Sequence, residues 1–127
     1  MNSPVLIDTS YWIEYINRPG SERMRRVAEL IREDRAAATG IVLAELLRGA
    51  RTNAEMEKIK ASLEAVLWVE ADERLCARAG EIGFELRRKG VTIPTTDCII
   101  AAAAESIGGN LLTLDGHFGE IDSLTLL

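Results

Sequence analysis

Short apolar runs alternate with segments of helical periodicity along this chain, and that alternation leaves few folds open. The runs are Pro4-Val5-Leu6-Ile7-Asp8, Ala36 to Thr39, Leu67-Trp68-Val69, Asn110 to Leu114 and Ser123 to Leu127. Each has the length of a strand and is too short for a helix; the alanines of the second weaken its propensity. Between them apolar residues recur at helical spacing. Trp12, Ile13, Tyr15 and Ile16 precede a Pro19-Gly20 stop, and Met24, Val27, Ala28 and Ile31 follow a Ser21 cap. Ile41, Leu43, Leu46 and Leu47 predict a helix from Gly40 to about Arg48-Gly49, and Met56, Ile59 and Leu63 one from Asn53 to about Val66. Leu75, Ala79, Ile82 and Leu86 mark a long helix from Asp72 to a Gly90 stop. Pro94 and a Thr95-Thr96 cap lead into an alanine-rich helix, Asp97 to Ile107, broken by Gly108-Gly109. Strands separated by helices pair in parallel through right-handed crossovers. The expected fold class is therefore α/β: a three-layer α/β/α sandwich with a central parallel sheet. At 127 residues without linker, repeat or low-complexity stretch, one domain over 1–127 is expected.

Composition removes several functions. Two cysteines, Cys76 and Cys98, make neither a disulfide framework nor a zinc site, which fits a reducing compartment. The longest uninterrupted apolar run, Cys98 to Ala104, is seven residues, far short of the ~20 that a membrane span needs. Asp8 interrupts the first hydrophobic stretch, so no signal peptide is expected and the location expected is cytoplasmic. A net charge of −5 disfavours a nucleic-acid binder that works by bulk electrostatics. One histidine, His117, excludes multi-histidine metal sites, and six aromatics leave little for a base-stacking platform. Chemistry, if present, rests on carboxylates.

Four acids stand where acids are not ordinarily found. Asp8 ends the first strand, at the sheet edge where parallel α/β folds bind ligands, and suits a helix N-cap equally well. Glu45 lies within Ile41-Val42-Leu43-Ala44-Glu45-Leu46-Leu47; an outward face or a pair with Arg48 or Arg51 would also accommodate it. Asp97 opens the alanine-rich helix, where an acid gains ~0.3–1 kcal/mol from the helix dipole. Asp115 ends Leu111-Leu112-Thr113-Leu114-Asp115 and starts a Gly-His-Phe turn, repeating the Asp8 situation. If the first and fourth strands are neighbours, Asp8 and Asp115 converge on one rim, helices starting there bring in Asp97, and Glu45 can reach it from the helix after the second strand. Two bare carboxylates ~4 Å apart repel by ~4 kcal/mol at an effective dielectric near 20, so four of them call for a cation. All-oxygen ligation selects a hard ion, magnesium or manganese, which suits phosphoryl displacement.

Leu6-Ile7-Asp8-Thr9-Ser10, Glu45 with Leu46-Leu47-Arg48-Gly49, Thr96-Asp97-Cys98-Ile99-Ile100-Ala101-Ala102, and Leu112-Thr113-Leu114-Asp115-Gly116-His117-Phe118 together resemble the PIN-domain nucleases. Size and segment order are most similar to the VapC-type toxins of toxin–antitoxin pairs, and the likeness covers the whole chain. The resemblance implies a sheet in order 3-2-1-4-5 and a Mg2+- or Mn2+-dependent endoribonuclease, the toxin of a type II toxin–antitoxin pair. It assigns Asp8, Glu45, Asp97 and Asp115 to the acidic quartet, as catalytic and metal-holding residues. Ser10, or Thr9, matches the hydroxyl neighbour of the first acid, and Thr113 the hydroxyl two residues before the last. Many members carry another acid where this chain has His117, which leaves His117 open to a phosphate contact, a metal-bound water or a plain turn position. RNA, a cognate antitoxin and a second copy of the chain are the implied partners.

With four metal-bound carboxylates set aside, the rest of the surface approaches neutrality, and Arg18 to Arg35 holds six arginines against four acids. That stretch suits either an RNA backbone or a solvated helix face. Trp12, Tyr15, Leu46 and Leu47 are either core or an apolar groove for an antitoxin helix. A PIN-fold nuclease of RNA processing or of DNA keeps the same site, and a PIN-like protein-binding module is the non-enzymatic alternative. Aspartyl-phosphate enzymes fit poorly: Ser10 stands where dehalogenase-like phosphatases need an acid, and no lysine follows Lys89 for a receiver.

Overall fold

The computed structural model describes residues 3–18 and 20–127. Pro19, read as the stop of the first helix, lies outside the described residues. Five parallel strands, β1 (Val5–Ile7), β2 (Ala36–Thr39), β3 (Leu67–Val69), β4 (Asn110–Leu112) and β5 (Thr125–Leu126), form one sheet in the order β3-β2-β1-β4-β5. The helices are α1 (Thr9–Asn17), α2 (Glu22–Arg32), α3 (Gly40–Arg48), α4 (Asn53–Ser62), α5 (Glu73–Arg88) and α6 (Thr95–Ser106), with a 3₁₀ turn over Gly116–Glu120. The steps from β1 to β2 and β2 to β3 run toward one edge, and the step from β3 to β4 returns across β1. Right-handed crossovers then place α1–α4 on one face and α5–α6 on the other, giving the three-layer sandwich.

Val5, Leu6, Ile7, Leu111 and Leu112 are wholly buried, as expected of central strands covered on both faces. The alanine strand β2 is buried throughout, its small side chains compensating for poor propensity by admitting helices close to the sheet. The edge strand β3 differs, with Leu67 and Trp68 each about half exposed. Local capping sets the helix starts. Ser21, Thr52 and Asp72 each accept from a backbone N–H in the first turn of α2, α4 and α5.

Several boundaries differ from the sequence reading. Helix α4 stops at Ser62 rather than near Val66, and Leu63 and Val66 are buried in the turn that follows. Helix α6 starts at Thr95, with Pro94 in the cap position, and neither Thr95 nor Thr96 caps it. Strand β4 ends at Leu112 because the Leu114 N–H bonds the Ser10 hydroxyl instead of a neighbouring strand. Trp12 and Leu46 are core; Tyr15 and Leu47 pack half-buried against it, and Ile13 is the exposed apolar residue of α1. On α2 the buried positions are Val27 and Leu30, with Met24, Ala28 and Ile31 at the margin. Gly109 links α6 to β4 at φ +91°, and a Cβ there would run into the Ser123 carbonyl, so no other residue fits.

Candidate active site

The register of the sheet assembles the rim. Val5 and Leu6 face Ala36 and Ala37, and Leu6 and Ile7 face Leu111 and Leu112. Carried past the strand ends, this sets Asp8 in a row between Thr39 and Thr113. Asp8, 5% exposed, caps α1 and lies at the rim. Its Oδ1 accepts from the Thr9 N–H at 2.8 Å, and its Oδ2 from Ser10 Oγ at 3.0 Å and Thr113 Oγ1 at 2.8 Å. Charge-assisted bonds to three donors fix this carboxylate.

The hydroxyls extend the network. Thr9 Oγ1 donates to Glu45 Oε1 at 2.8 Å, which ties α3 to the start of α1. Glu45 has no ion pair with Arg48 or Arg51 among the described residues, so its charge faces the rim uncompensated by either. Thr113 Oγ1 also accepts from the Asp115 N–H at 3.0 Å, holding the exposed Asp115 beside Asp8. Of the two hydroxyl neighbours, Ser10 touches Asp8 and Thr9 touches Glu45.

Asp97 enters from the first turn of α6, half-buried. Burial pushes its carboxyl above the usual range; the charges of Asp8 and Asp115 add to that rise, and His117 opposes it. His117 reaches the cluster from the 3₁₀ turn. Its Nε2 stands 3.0 Å from Asp97 Oδ2 and its Nδ1 3.6 Å from Asp115 Oδ1. Nε2 is buried, and its contact with Asp97 favours the carboxylate's charged form without forming a well-aligned hydrogen bond. Ligand atoms of Asp97, Asp115 and His117 all fall within 4.8 Å of one another. Like-charged carboxylates drawn together, with a poorly paired nitrogen among them, are a donor set that a divalent cation satisfies.

A PIN domain profile matches residues 5–124, a span containing all four acids. The chain belongs to the PIN-domain family. Ribonuclease VapC11 of Mycobacterium tuberculosis is 32% identical over 130 residues, covering 97% of this chain and 95% of the relative. Ribonuclease VapC19 of the same species is 30% identical over 115 residues, 89% of this chain and 90% of the relative. Among solved structures, VapBC2 from Rickettsia felis, bound to a fragment of its promoter DNA, shares the fold. Its TM-score is 0.84 at 24% identity, covering 97% of this chain and 96% of that one.

In this PIN domain one rim residue escaped the sequence reading. Thr39 is wholly buried, with a hydroxyl that finds no partner, at the register position next to Asp8. The signal available was a polar residue closing an apolar strand, the same signal that marks Thr113. The arginine stretch divides: Arg18 and Arg23 pair with Glu14, Arg25 with Glu22 and Arg35 with Glu33. Only Arg26 and Arg32 of the six lack an ion pair among the described residues.

Proposed function

We propose that residues 1–127 form one PIN-like nuclease domain that acts as the toxin of a type II toxin–antitoxin pair. The reaction is endonucleolytic hydrolysis of RNA phosphodiester bonds, dependent on Mg2+ or Mn2+. The observation that carries this reading is the half-buried Asp97 carboxyl, 3.0 Å from His117 and grouped with Asp115, its proton affinity raised by burial and by the charges of Asp8 and Asp115. Ribonucleases related at 30–32% identity over nearly the whole chain support the reaction class.

Asp8, Asp97, Asp115 and Glu45 are the residues that would hold the cation. Bound there, a divalent ion neutralises the carboxylates, lowers the pKa of a coordinated water and stabilises charge on the scissile phosphate. The chain's own part is to keep that site in shape. Ser10 and Thr113 orient Asp8, Thr9 orients Glu45, and the Thr113 hydroxyl aligns Asp115 through its backbone. Arg26 and Arg32 remain for the RNA backbone, a modest electrostatic contribution.

For partners we propose the cognate antitoxin and a second copy of the chain. A cleft of about 140 Å3 between α1, α3 and α4, walled by Ile13, Ile16, Leu46 and Ala50 with Glu45 at its side, suits an apolar antitoxin segment. No helix among the described residues is long and apolar enough to cross a membrane, and we propose a cytoplasmic location.

The test is cleavage of end-labelled structured RNA by the purified chain in Mg2+, in Mn2+ and in EDTA, beside Asp8→Asn. Endonucleolytic products that require the metal and vanish in the variant are expected. Equal cleavage by Asp8→Asn, or cleavage of DNA alone, would overturn the reading; binding of protein partners without any cleavage would leave a non-catalytic module.

A further inference from the structure

Of the groups at the rim, His117 is the one that a carboxylate quartet does not explain. Its ring is held in place from below. It lies against Phe118, centroids 4.7 Å apart, and Phe118 is wholly buried, so the core fixes the height of the imidazole over the acids. The ring nitrogens face two different carboxylates, Nε2 toward Asp97 and Nδ1 toward Asp115.

The Nε2 contact is poorly aligned for a hydrogen bond and has a length that suits two ligands of one ion. Two cis ligands of an octahedral cation at ~2.1 Å stand ~3.0 Å apart. Nε2 and Asp97 Oδ2 are separated by 3.0 Å, and Nε2 is buried with no well-aligned hydrogen-bond partner. A buried nitrogen whose contact is poorly aligned gains less than a full hydrogen bond, and a shared cation would satisfy it. Nδ1 lies 3.6 Å from Asp115 Oδ1, and Asp97, Asp115 and His117 each offer a ligand atom within 4.8 Å of the others.

We propose that His117 is itself a ligand of the cation, through Nε2, and that this nitrogen sets the site's preference for manganese over magnesium. The inference rests on the reading of the acidic cluster as a cation centre. Imidazole nitrogen favours first-row transition ions, whereas Mg2+ keeps to oxygen. Asp97 and His117 then bind one ion from α6 and from the 3₁₀ turn, and that ion locks the turn to the sheet rim.

The chain's single histidine makes the test direct, because an imidazole 14N signal in the untagged protein can come only from His117. The experiment is pulsed EPR (electron spin echo envelope modulation) on the full chain loaded with Mn2+. It is paired with Mn2+ titrations and Mg2+ competition for wild type, His117→Ala and His117→Gln. Wild type should show 14N modulation and both variants should lose it. Mn2+ affinity should fall at least about tenfold in the variants while Mg2+ affinity changes less, so that Mg2+ displaces Mn2+ at lower concentration. Mn2+ bound without imidazole modulation in wild type overturns the His117 assignment and leaves the cation centre standing, with His117 only an ion-pair partner of Asp97. Unchanged Mn2+ over Mg2+ selectivity in folded variants overturns it as well. A wild-type chain that binds no Mn2+ at all overturns both readings.

Discussion

Removing the charge of Asp97 should stabilise the metal-free protein and destabilise the metal-loaded one. Ligand atoms of Asp97 and Asp115 lie within 4.8 Å. Two charges at that separation repel by about 3.5 kcal/mol at an effective dielectric of 20 and about 0.9 kcal/mol in water. Asp115 is 58% exposed, which favours the lower figure, and the buried Asp8 adds repulsion of its own. Asparagine in the first turn of α6 forfeits ~0.3–1 kcal/mol of dipole stabilisation. The net expected gain for Asp97→Asn is about 1–2 kcal/mol, or roughly 4–8 °C in Tm for a chain of this size. The assay is thermal unfolding by circular dichroism at pH 8 in EDTA. Saturating Mn2+ should reverse the order, because only wild type then gains the linkage stabilisation of a tightly bound ion. The sign with pH follows from the raised carboxyl. Folded wild type holds this proton more tightly than the unfolded chain does. Metal-free stability therefore increases as pH falls through the raised value and is lost as pH rises through it. Asp97→Asn should flatten that dependence. A variant less stable than wild type in EDTA, or equally stabilised by Mn2+, would refute the reasoning.

Three further outcomes are expected. Thr113→Val removes a donor to Asp8 and an acceptor for the Asp115 N–H; calorimetry should show a loss of about 1–3 kcal/mol and a weaker cation titration. Glu105, kept below the usual glutamate range by Arg78 and Ser123 at 2.7–3.0 Å, contributes stability that is present at neutral pH and lost as pH falls through its lowered value. Glu105→Gln should erase that acid limb in unfolding curves while leaving RNA cleavage at neutral pH intact. Gly109→Ala combines a positive φ with a backbone collision against Ser123, and chemical denaturation should show a loss of more than about 2 kcal/mol.

Which acids gather at the rim was legible before any coordinates, because an acid that ends an apolar run stands out against the solvated charges of helix faces. Asp8 and Asp115 carry that signal. How they act was not visible. Asp8 had two competing readings, and the structure shows the cap: it accepts from the Thr9 N–H at the start of α1 while Ser10 and Thr113 hold its other oxygen at the rim. The Thr95-Thr96 cap failed because Pro94 occupies the cap position and α6 begins at Thr95. Trp12 and Leu46 were legible as apolar but not as core, since burial depends on which neighbour covers a helix face. Thr39 went unread because its importance lies in what it stands beside.

Periodicity alone determined the element types, their order and the parallel α/β class, because spacings of two and 3.6 residues are local properties of the backbone. The apolar runs themselves showed an acid closing the first, at Asp8, and another shortly after the fourth, at Asp115. Only the tertiary structure decided the proximity of Asp97 and His117, twenty residues apart in the chain and 3.0 Å apart in space. That distance depends on where α6 begins and how Phe118 seats the 3₁₀ turn on the core. Electrostatic energy falls with separation in space, not along the chain, so the repulsion among Asp8, Asp97 and Asp115 arises only once the sheet order β3-β2-β1-β4-β5 has folded their rim together.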